Sequence, residues 1–480
     1  MKQMQVDLNA YKSKLLKLGE KAAAVSGDTW KLMQKKSRKF IKGLTFFKAS
    51  RAFLALFLLT FPFQIRKLVF YPEIFVTGNF NYYISFFVYL ADLLLVCSFI
   101  FYGISFLRKE RVKFKGFGYR EFFAYLMVFL LLMVVSVFVS EVKEISLFQT
   151  FRFLELLLLY VLITNEVLKK KEVLRYFIFG MCFQAVIGIG QYILQGSVGL
   201  RAIGEPIIGS DVQGVAKMDL GGEKVLRSYG TFSHPNVFAG LLVAAIVFTF
   251  SAFRNKIGYI LPVVALLCLG LLFTFSRTGI LAIGTVFLMY VSLIDRKIPI
   301  KTVLLFASII MFFVVTFNLE DVVWSRFILG GDTQAGIERI DYMNISKRMI
   351  SDRPWGTGLG SFTLEMQDYT SDKLAPWTHQ PVHNIYLLFI NELGLVGGLF
   401  FTFLIGFLFL KLVQALKFLK DKAEDRDYCI MLLALLMGII IMGLFDHYLI
   451  TIYQGQVMLF IYLALAGSFL NSSSLPFRKS

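Results

Sequence analysis

Charge is scarce in this 480-residue chain: Asp, Glu, Lys and Arg together make up 17% of it, against about 25% in soluble domains. Beside a 57% share of hydrophobic residues, that scarcity excludes a soluble or disordered chain. Apolar runs close to the ~20 residues needed to cross a bilayer recur along its length. They do not alternate polar with apolar, so a membrane β-barrel is excluded as well. Cysteine is rare: Cys97, Cys182, Cys268 and Cys429 lie in or beside apolar runs. They lack metal-ligand spacing, so no metal site and no structural disulfide are expected. No internal repeat and no Walker or dinucleotide-binding glycine pattern is present, and no cofactor is expected.

The fold class expected is therefore all-α, a polytopic membrane protein of about twelve transmembrane helices. The spans read as 44–65, 80–107, 121–140, 148–165, 176–195, 235–252, 258–276, 278–294, 302–318, 384–410, 429–445 and 455–471. An even number puts both termini on one side. The tails and loops of that side carry 33 Lys and Arg, against 14 in the opposite loops. Basic residues favour the cytoplasm, so cytoplasmic termini are expected. The net charge of +18 is then mostly a topology signal, and no nucleic-acid partner is expected.

Three regions follow. Residues 1–43 form a cytoplasmic tail with eleven basic and three acidic residues. Its Tyr11, Leu15, Leu18 and Ala22 recur at helical spacing, which predicts an amphipathic helix on anionic lipid. Residues 44–471 form the transmembrane domain, and 472–480 a short cytoplasmic tail. Two outer loops are long, 196–234 and 319–383, and loops of that length usually carry function or are disordered. The second, between spans nine and ten, holds Trp324, Trp355 and Trp377. It also holds a helix expected over about 335–351 and stopped by Pro354.

Polar chemistry gathers in these outer segments. "LRSYGTFSHPNVFAG" carries Arg227 and His234, "FTFSRTGI" carries Arg277, and "GIERIDYMNISKRMISDRPWG" carries Arg339, Lys347, Arg348 and Arg353. "VHN" places His383 and Asn384 at the mouth of span ten. Guanidinium stays charged and grips phosphate oxygens with two parallel bonds, so the arginines suit a lipid diphosphate. Each also has a plainer reading, as a helix-end arginine meeting lipid phosphate. His234 before Pro235 and Asn236 reads as a helix cap, and His379 and the Asp446–His447 pair are second-tier candidates. Inside the membrane, Arg152 and Glu155 pair on one helix, and Asp92 has no partner nearby in sequence. "EDRDY" at 424–428 contains Asp-x-Asp but reads as a solvated cytoplasmic linker.

With these residues in view, the chain resembles the O-antigen ligase and Wzy-type polymerase superfamily of bacterial membrane glycosyltransferases. His383 and Asn384 are followed by nine residues, then Gly394 and Gly397, which matches the superfamily's histidine motif without a gap. "SRTG", "RSYGTFSHPN" and the Arg-led outer helix ending in Pro and Gly-x-Gly look like its other motifs. The resemblance implies glycan transfer from undecaprenyl diphosphate to an acceptor hydroxyl, lipid A–core or another polysaccharide. It places the reaction on the outer face of the cytoplasmic membrane and makes it metal-independent. It implies His383 as catalytic base, with Arg277, Arg339 and Arg227 on the diphosphate. Asn384, Arg348, Arg353 and His379 are lesser candidates. A clear pair of arginine-rich repeats in the outer loops, the mark of the polymerase branch, is missing, which favours ligase over polymerase. A lipid-linked oligosaccharide flippase is the competing class, but it needs cations lining a path through the membrane. Gly394 and Gly397 are expected to let the helix after His383 pack closely on a neighbour.

Overall fold

A computed structural model describes residues 45–293 and 333–479, apart from 70–74, 77–78, 111–112, 221–222, 255, 371–373, 375–377, 420–421 and 473–474. The basic tail at 1–43, the span expected at 302–318, Trp324 and Trp377 lie outside the described residues.

The chain is an all-α polytopic membrane protein. Eight of its described helices are long and apolar enough to cross a membrane: α2 (Leu90–Leu107), α3 (Arg120–Val139), α4 (Lys143–Thr164), α5 (Lys170–Leu194), α6 (Pro235–Ala252), α11 (Ile385–Phe418), α12 (Ala423–Phe445) and α14 (Tyr453–Leu470). Shorter apolar helices, α1 (Phe46–Thr60), α7 (Ile257–Phe273) and α8 (Arg277–Leu293), account for the remaining described spans. Between α8 and α11 come the polar helix α9 (Thr333–Asp352) and the single turn α10 (Phe362–Glu365); another turn, α13 (Tyr448–Thr451), separates α12 from α14. Helices α6 and α14 form the centre and are enclosed nearly all round, whereas most of α3 faces outward.

Two local expectations are corrected. The second span does not begin at residue 80. Residues Phe86–Tyr89 form strand β4, paired antiparallel with strand β1 (Arg66–Val69), and shorter pieces β2 (Phe75–Val76) and β3 (Asn79–Phe80) lie between them. Aromatic and β-branched side chains suit such a pleated edge. The helix starts where the Asp92 carboxylate accepts the Tyr89 N–H at 2.9 Å. "EDRDY" is likewise no linker but the first turns of α12. Acidic residues there complement the helix dipole; Glu424 pairs with Lys171 and Asp427 with Arg254. Asp92 finds its partner across helices: Arg152 bridges Asp92 at 2.8 Å and Glu155 at 2.6 Å. A buried charge needs such compensation.

The third correction concerns the glycines after His383. Gly394 interrupts α11 with φ +73° and ψ 176°. A break of this kind frees backbone groups that hydrocarbon cannot satisfy. The turn "PWGTG" supplies their partners. Thr357 N–H donates to Asn391 C=O, Gly358 N–H to Glu392 C=O, and Leu395 N–H to Pro354 C=O, each at 2.9 Å. The glycines thus serve a helix break held by the Pro354–Gly358 turn rather than close packing on a neighbouring helix. A Cβ at Gly394 would sit 2.6 Å from the Trp355 backbone, and one at Gly356 2.5 Å from the Gly394 nitrogen.

Gly394→Ala is expected to cost roughly 1–3 kcal/mol through left-handed strain and overlap. Gly406→Ala, where nothing lies within 4 Å, should leave stability unchanged. Thermal unfolding of the detergent-solubilised protein checks the pair; equal midpoints would show that the break carries no strain.

Candidate active site

Three helices begin at one end of the bundle, each capped by a side chain. Asn384 Oδ1 accepts the N–H groups of Tyr386 and Leu387 at 3.0 Å and so caps α11. His234 Nδ1 accepts the Asn236 N–H at 3.1 Å and caps α6, as its position before Pro235 predicts. Ser276 Oγ accepts the Gly279 N–H at 3.2 Å at the start of α8. Helix N-termini present partial positive charge, which favours an anion.

The caps also set the positions of the histidines. Asn384 Nδ2 donates to Leu444 C=O at 3.2 Å, tying the start of α11 to the end of α12. His383 thereby meets His447 edge to face, ring centroids 4.9 Å apart. Tyr342, one turn after Arg339 on α9, stacks on the other side of His383 at 5.6 Å. Asp446 joins the groups from three elements. Its Oδ1 accepts the His447 N–H and its Oδ2 accepts Asn236 Nδ2, both at 2.8 Å. Asn236 Oδ1 in turn accepts Arg227 Nη2 at 2.8 Å. Arg227 Nε donates to Thr274 C=O at 2.7 Å, in the α7–α8 turn that carries Arg277. Phe275 in that turn holds φ +47°, a conformation rare outside glycine.

Electrostatics ties these groups into one cluster. Burial, and then the Arg227 guanidinium, push the His234 imidazole down to about 3 against the opposing Asp446 carboxylate. Burial, and then His383, lower His447 to about 3. His383 is also held below the ordinary imidazole value, chiefly by burial and further by Arg339, with Asp446 opposing. The same Arg339 charge acts on His234 and His447. Burial alone would raise the Asp446 carboxyl. The three imidazoles and the Asn236 hydrogen bond outweigh it and hold the group ionised. Held below its ordinary value, His383 is unprotonated at pH 7, the form a general base requires. His383 Nδ1 is buried without a hydrogen-bond partner among the described residues. Three or more His, Cys, Asp or Glu side chains arranged to hold a metal ion do not occur among the described residues.

Of the candidates from sequence, His383, Asn384, Arg339 and Arg227 meet here, and Arg277 stands exposed at the first residue of α8 in the adjoining turn. Arg353 does not: it pairs with Glu365 at 2.8 Å and Glu141 at 2.7 Å, fastening the end of α9 to the α3–α4 connection. Arg348 is exposed on α9 away from its buried face. His379 is buried against Thr363 C=O and Asn81. Asp446 and His447 are more central than a second-tier rank implies, and sequence reasoning does not find Asn236, Tyr342 or Thr451, whose Oγ1 lies 2.7 Å from His447 Nδ1. One signal was available for the pair: Asp446 and His447 are the strongly polar residues of "GLFDHYLITIY" between two apolar runs.

Residues 262–402 match the family model Wzy_C, described as O-antigen ligase. The match includes Arg277, Arg339, His383 and the Gly394 break, and it supports the O-antigen ligase and Wzy-type superfamily. No curated protein matches the chain.

The buried histidines make stability pH-dependent. His447 takes up a proton near 3 when folded and near 6.5 when unfolded, so the unfolded state binds the extra proton between those values. The folded state therefore loses stability as pH falls below about 6.5. Going from pH 7 to pH 5, wild type should lose about 2 kcal/mol more than His447→Gln. Parallel losses in chemical-denaturation curves would show that His447 is not held neutral.

Proposed function

We propose that the chain is a membrane glycosyltransferase of the O-antigen ligase type. It transfers a glycan from undecaprenyl diphosphate to an acceptor hydroxyl, with lipid A–core as the favoured acceptor, on the outer face of the cytoplasmic membrane. The observation that carries this reading is the meeting of His383, Arg339 and Arg227 around the Asp446–His447 pair, beside three helix N-termini.

The chemistry follows from those groups. As the glycosidic bond breaks, negative charge grows on the leaving diphosphate. Fixed guanidinium groups from Arg277, Arg339 and Arg227 stabilise it in a site partly closed to water. Arg227 is held from behind by Asn236 and Thr274, so it is oriented before substrate arrives. His383 takes the proton of the acceptor hydroxyl as oxygen attacks the anomeric carbon, and one displacement inverts that carbon. Asp446 balances the imidazolium that forms, across His447. This division of labour requires no metal ion.

Reconstituted protein supplied with a lipid-linked glycan and each acceptor in turn tests the reading. A single transfer to lipid A–core marks a ligase, and a ladder of products marks the polymerase alternative. Arg277→Ala and Arg339→Ala are each expected to abolish transfer while inserting normally. Lysine at either position should restore it only in part, since an ammonium lacks the planar fork. His383→Gln should bind donor and fail to transfer. Because the imidazole is held below its ordinary value, wild-type turnover should stay flat from pH 8 to about 6.5 and fall only on the acid side. Near-normal turnover in His383→Gln would remove the base from the mechanism. Loss of activity in EDTA, restored by Mg²⁺, would overturn the metal-free step.

A further inference from the structure

A cavity lies at the other end of the bundle from the histidines. Helix α14 begins just after Thr451 and runs 18 residues, about 27 Å at the α-helical rise. Its far end at Asn471 therefore stands nearly a hydrocarbon thickness from the cluster. There the start of α3, the end of α14 and the turn Pro476–Lys479 surround a free space of about 560 Å³. Lys115, Tyr119, Arg120, Glu121, Ala124 and Phe477 line it. The volume lies within the range of ligand pockets, ~300–1,000 Å³.

The rim is pinned by hydrogen bonds. Asn165 Oδ1 accepts the Lys115 N–H at 2.7 Å, and Asn165 Nδ2 donates to Gly116 C=O at 2.9 Å. The Tyr160 hydroxyl donates to Phe117 C=O at 3.1 Å, and the Tyr119 N–H donates to Gly467 C=O at 2.9 Å. Gly118 holds φ +75° between them, where a Cβ would lie 2.9 Å from the Tyr160 hydroxyl and 3.1 Å from the Gly467 backbone. Lys115 and Arg120 thus project from a fastened segment rather than a free loop.

Charge around the space does not cancel. Glu121 is already engaged: the Tyr119 hydroxyl donates to it at 2.9 Å and Lys411 Nζ lies 3.5 Å away. Lys411 also sits 5.5 Å over the Tyr119 ring and 5.4 Å over Phe477. Lys115 pairs with Glu166. Arg120, exposed on the rim, has no ion pair with another described residue. Two carboxylates among three cations leave one positive charge, the complement of a phosphodiester, and guanidinium suits its oxygens. The eleven basic residues of 1–43 precede α1, which starts at this same end, the Phe46 and Phe47 N–H groups donating to Glu110 at 3.1 and 2.9 Å. Such a face favours an anionic membrane surface.

The apolar side of the cavity points to the source of the phosphate. Ala124 is exposed at its floor, and Val128, Leu131 and Val135 continue along α3 as exposed side chains one turn apart. An acyl chain below a headgroup at Arg120 would lie on that stripe, and a soluble phosphate ester would leave it uncovered.

We propose that this cavity binds the headgroup of an anionic phospholipid, in the leaflet opposite the histidine cluster. Arg120 holds the phosphate oxygens, Lys115 and Lys411 stand beside them, and an acyl chain follows α3. The lipid then bridges α3, α11 and the C-terminal turn. On the transferase reading this leaflet is the cytoplasmic one, but the site does not rest on that reading.

Native mass spectrometry of the full-length protein tests the site. The detergent-solubilised protein is titrated with dioleoylphosphatidylglycerol or dioleoylphosphatidylcholine, with and without excess sn-glycerol 3-phosphate. The first phosphatidylglycerol should bind about tenfold tighter than the first phosphatidylcholine and withstand the soluble ester. Lys115→Gln together with Arg120→Gln should weaken it about tenfold and leave phosphatidylcholine unchanged. Ala124→Trp, which fills the floor and alters no charge, should weaken it in the same direction. Lys143→Gln, an exposed lysine at the opposite face, should bind like wild type. Equal affinity for the two lipids, or unchanged binding in both the charge and Ala124 variants, would overturn the proposal. Displacement by glycerol phosphate would overturn it too, by making a soluble phosphate ester the ligand.

Discussion

The interrupted helix α11 is the constraint on which the rest depends. In hydrocarbon each unmatched backbone group costs several kcal/mol, so a helix can break there only if another segment supplies hydrogen bonds. Pro354–Gly358 does so with three backbone bonds across Gly394. The exchange fixes the polar helix α9 against α11. Tyr342 on α9 is thereby held against His383, with Arg339 close by, eight residues before the interruption begins at Asn391. Arg353 strengthens the same join from the other end, through Glu365 and Glu141. Gly356 and Gly394 are needed where they are because an added Cβ at either would lie under 3 Å from the other segment's backbone.

Within that frame, one carboxylate organises a cationic neighbourhood. Three imidazoles and two guanidinium groups act on one another around Asp446. Were the histidines charged, the cluster would repel itself in a partly dry setting. Burial keeps them neutral, so the fixed positive charge comes from the arginines and the helix ends. On the proposed reading this division suits a reaction whose leaving group is strongly anionic and whose nucleophile must lose a proton. The arginines hold charge permanently, and the imidazole remains free to change state. The strained Phe275 turn, which presents Arg277, is tied to the same set through Thr274 and Arg227.

Much of the architecture is legible in the sequence because membrane spans are read from length and apolarity alone. Helices lie in all eleven of the expected apolar runs that fall on described residues, eight of them long enough to cross a membrane, and α9 ends before Pro354 as the proline requires. Failures occur where local pattern and tertiary setting part. "FFVYL" is apolar enough to extend a span, yet its side chains favour a strand and Arg66–Val69 lies ready to pair with it. "EDRDY" is polar enough for a loop, but its acids stabilise a helix start and find Lys171 and Arg254 on other elements.

What the sequence determines by itself is the class of the protein, its apolar helices and their caps, and a histidine motif with exact spacing to two glycines. Each depends on neighbours in the chain, on periodicity or on hydropathy. Only the tertiary structure decides that Asp92 belongs with Arg152, that Arg353 is a fastening, and that Asp446 and His447 stand at the centre beside His383 and His234. Those relations join residues up to hundreds of positions apart, and no local pattern encodes them. They arise because a buried charge and a broken helix must each find a partner wherever the packed bundle offers one.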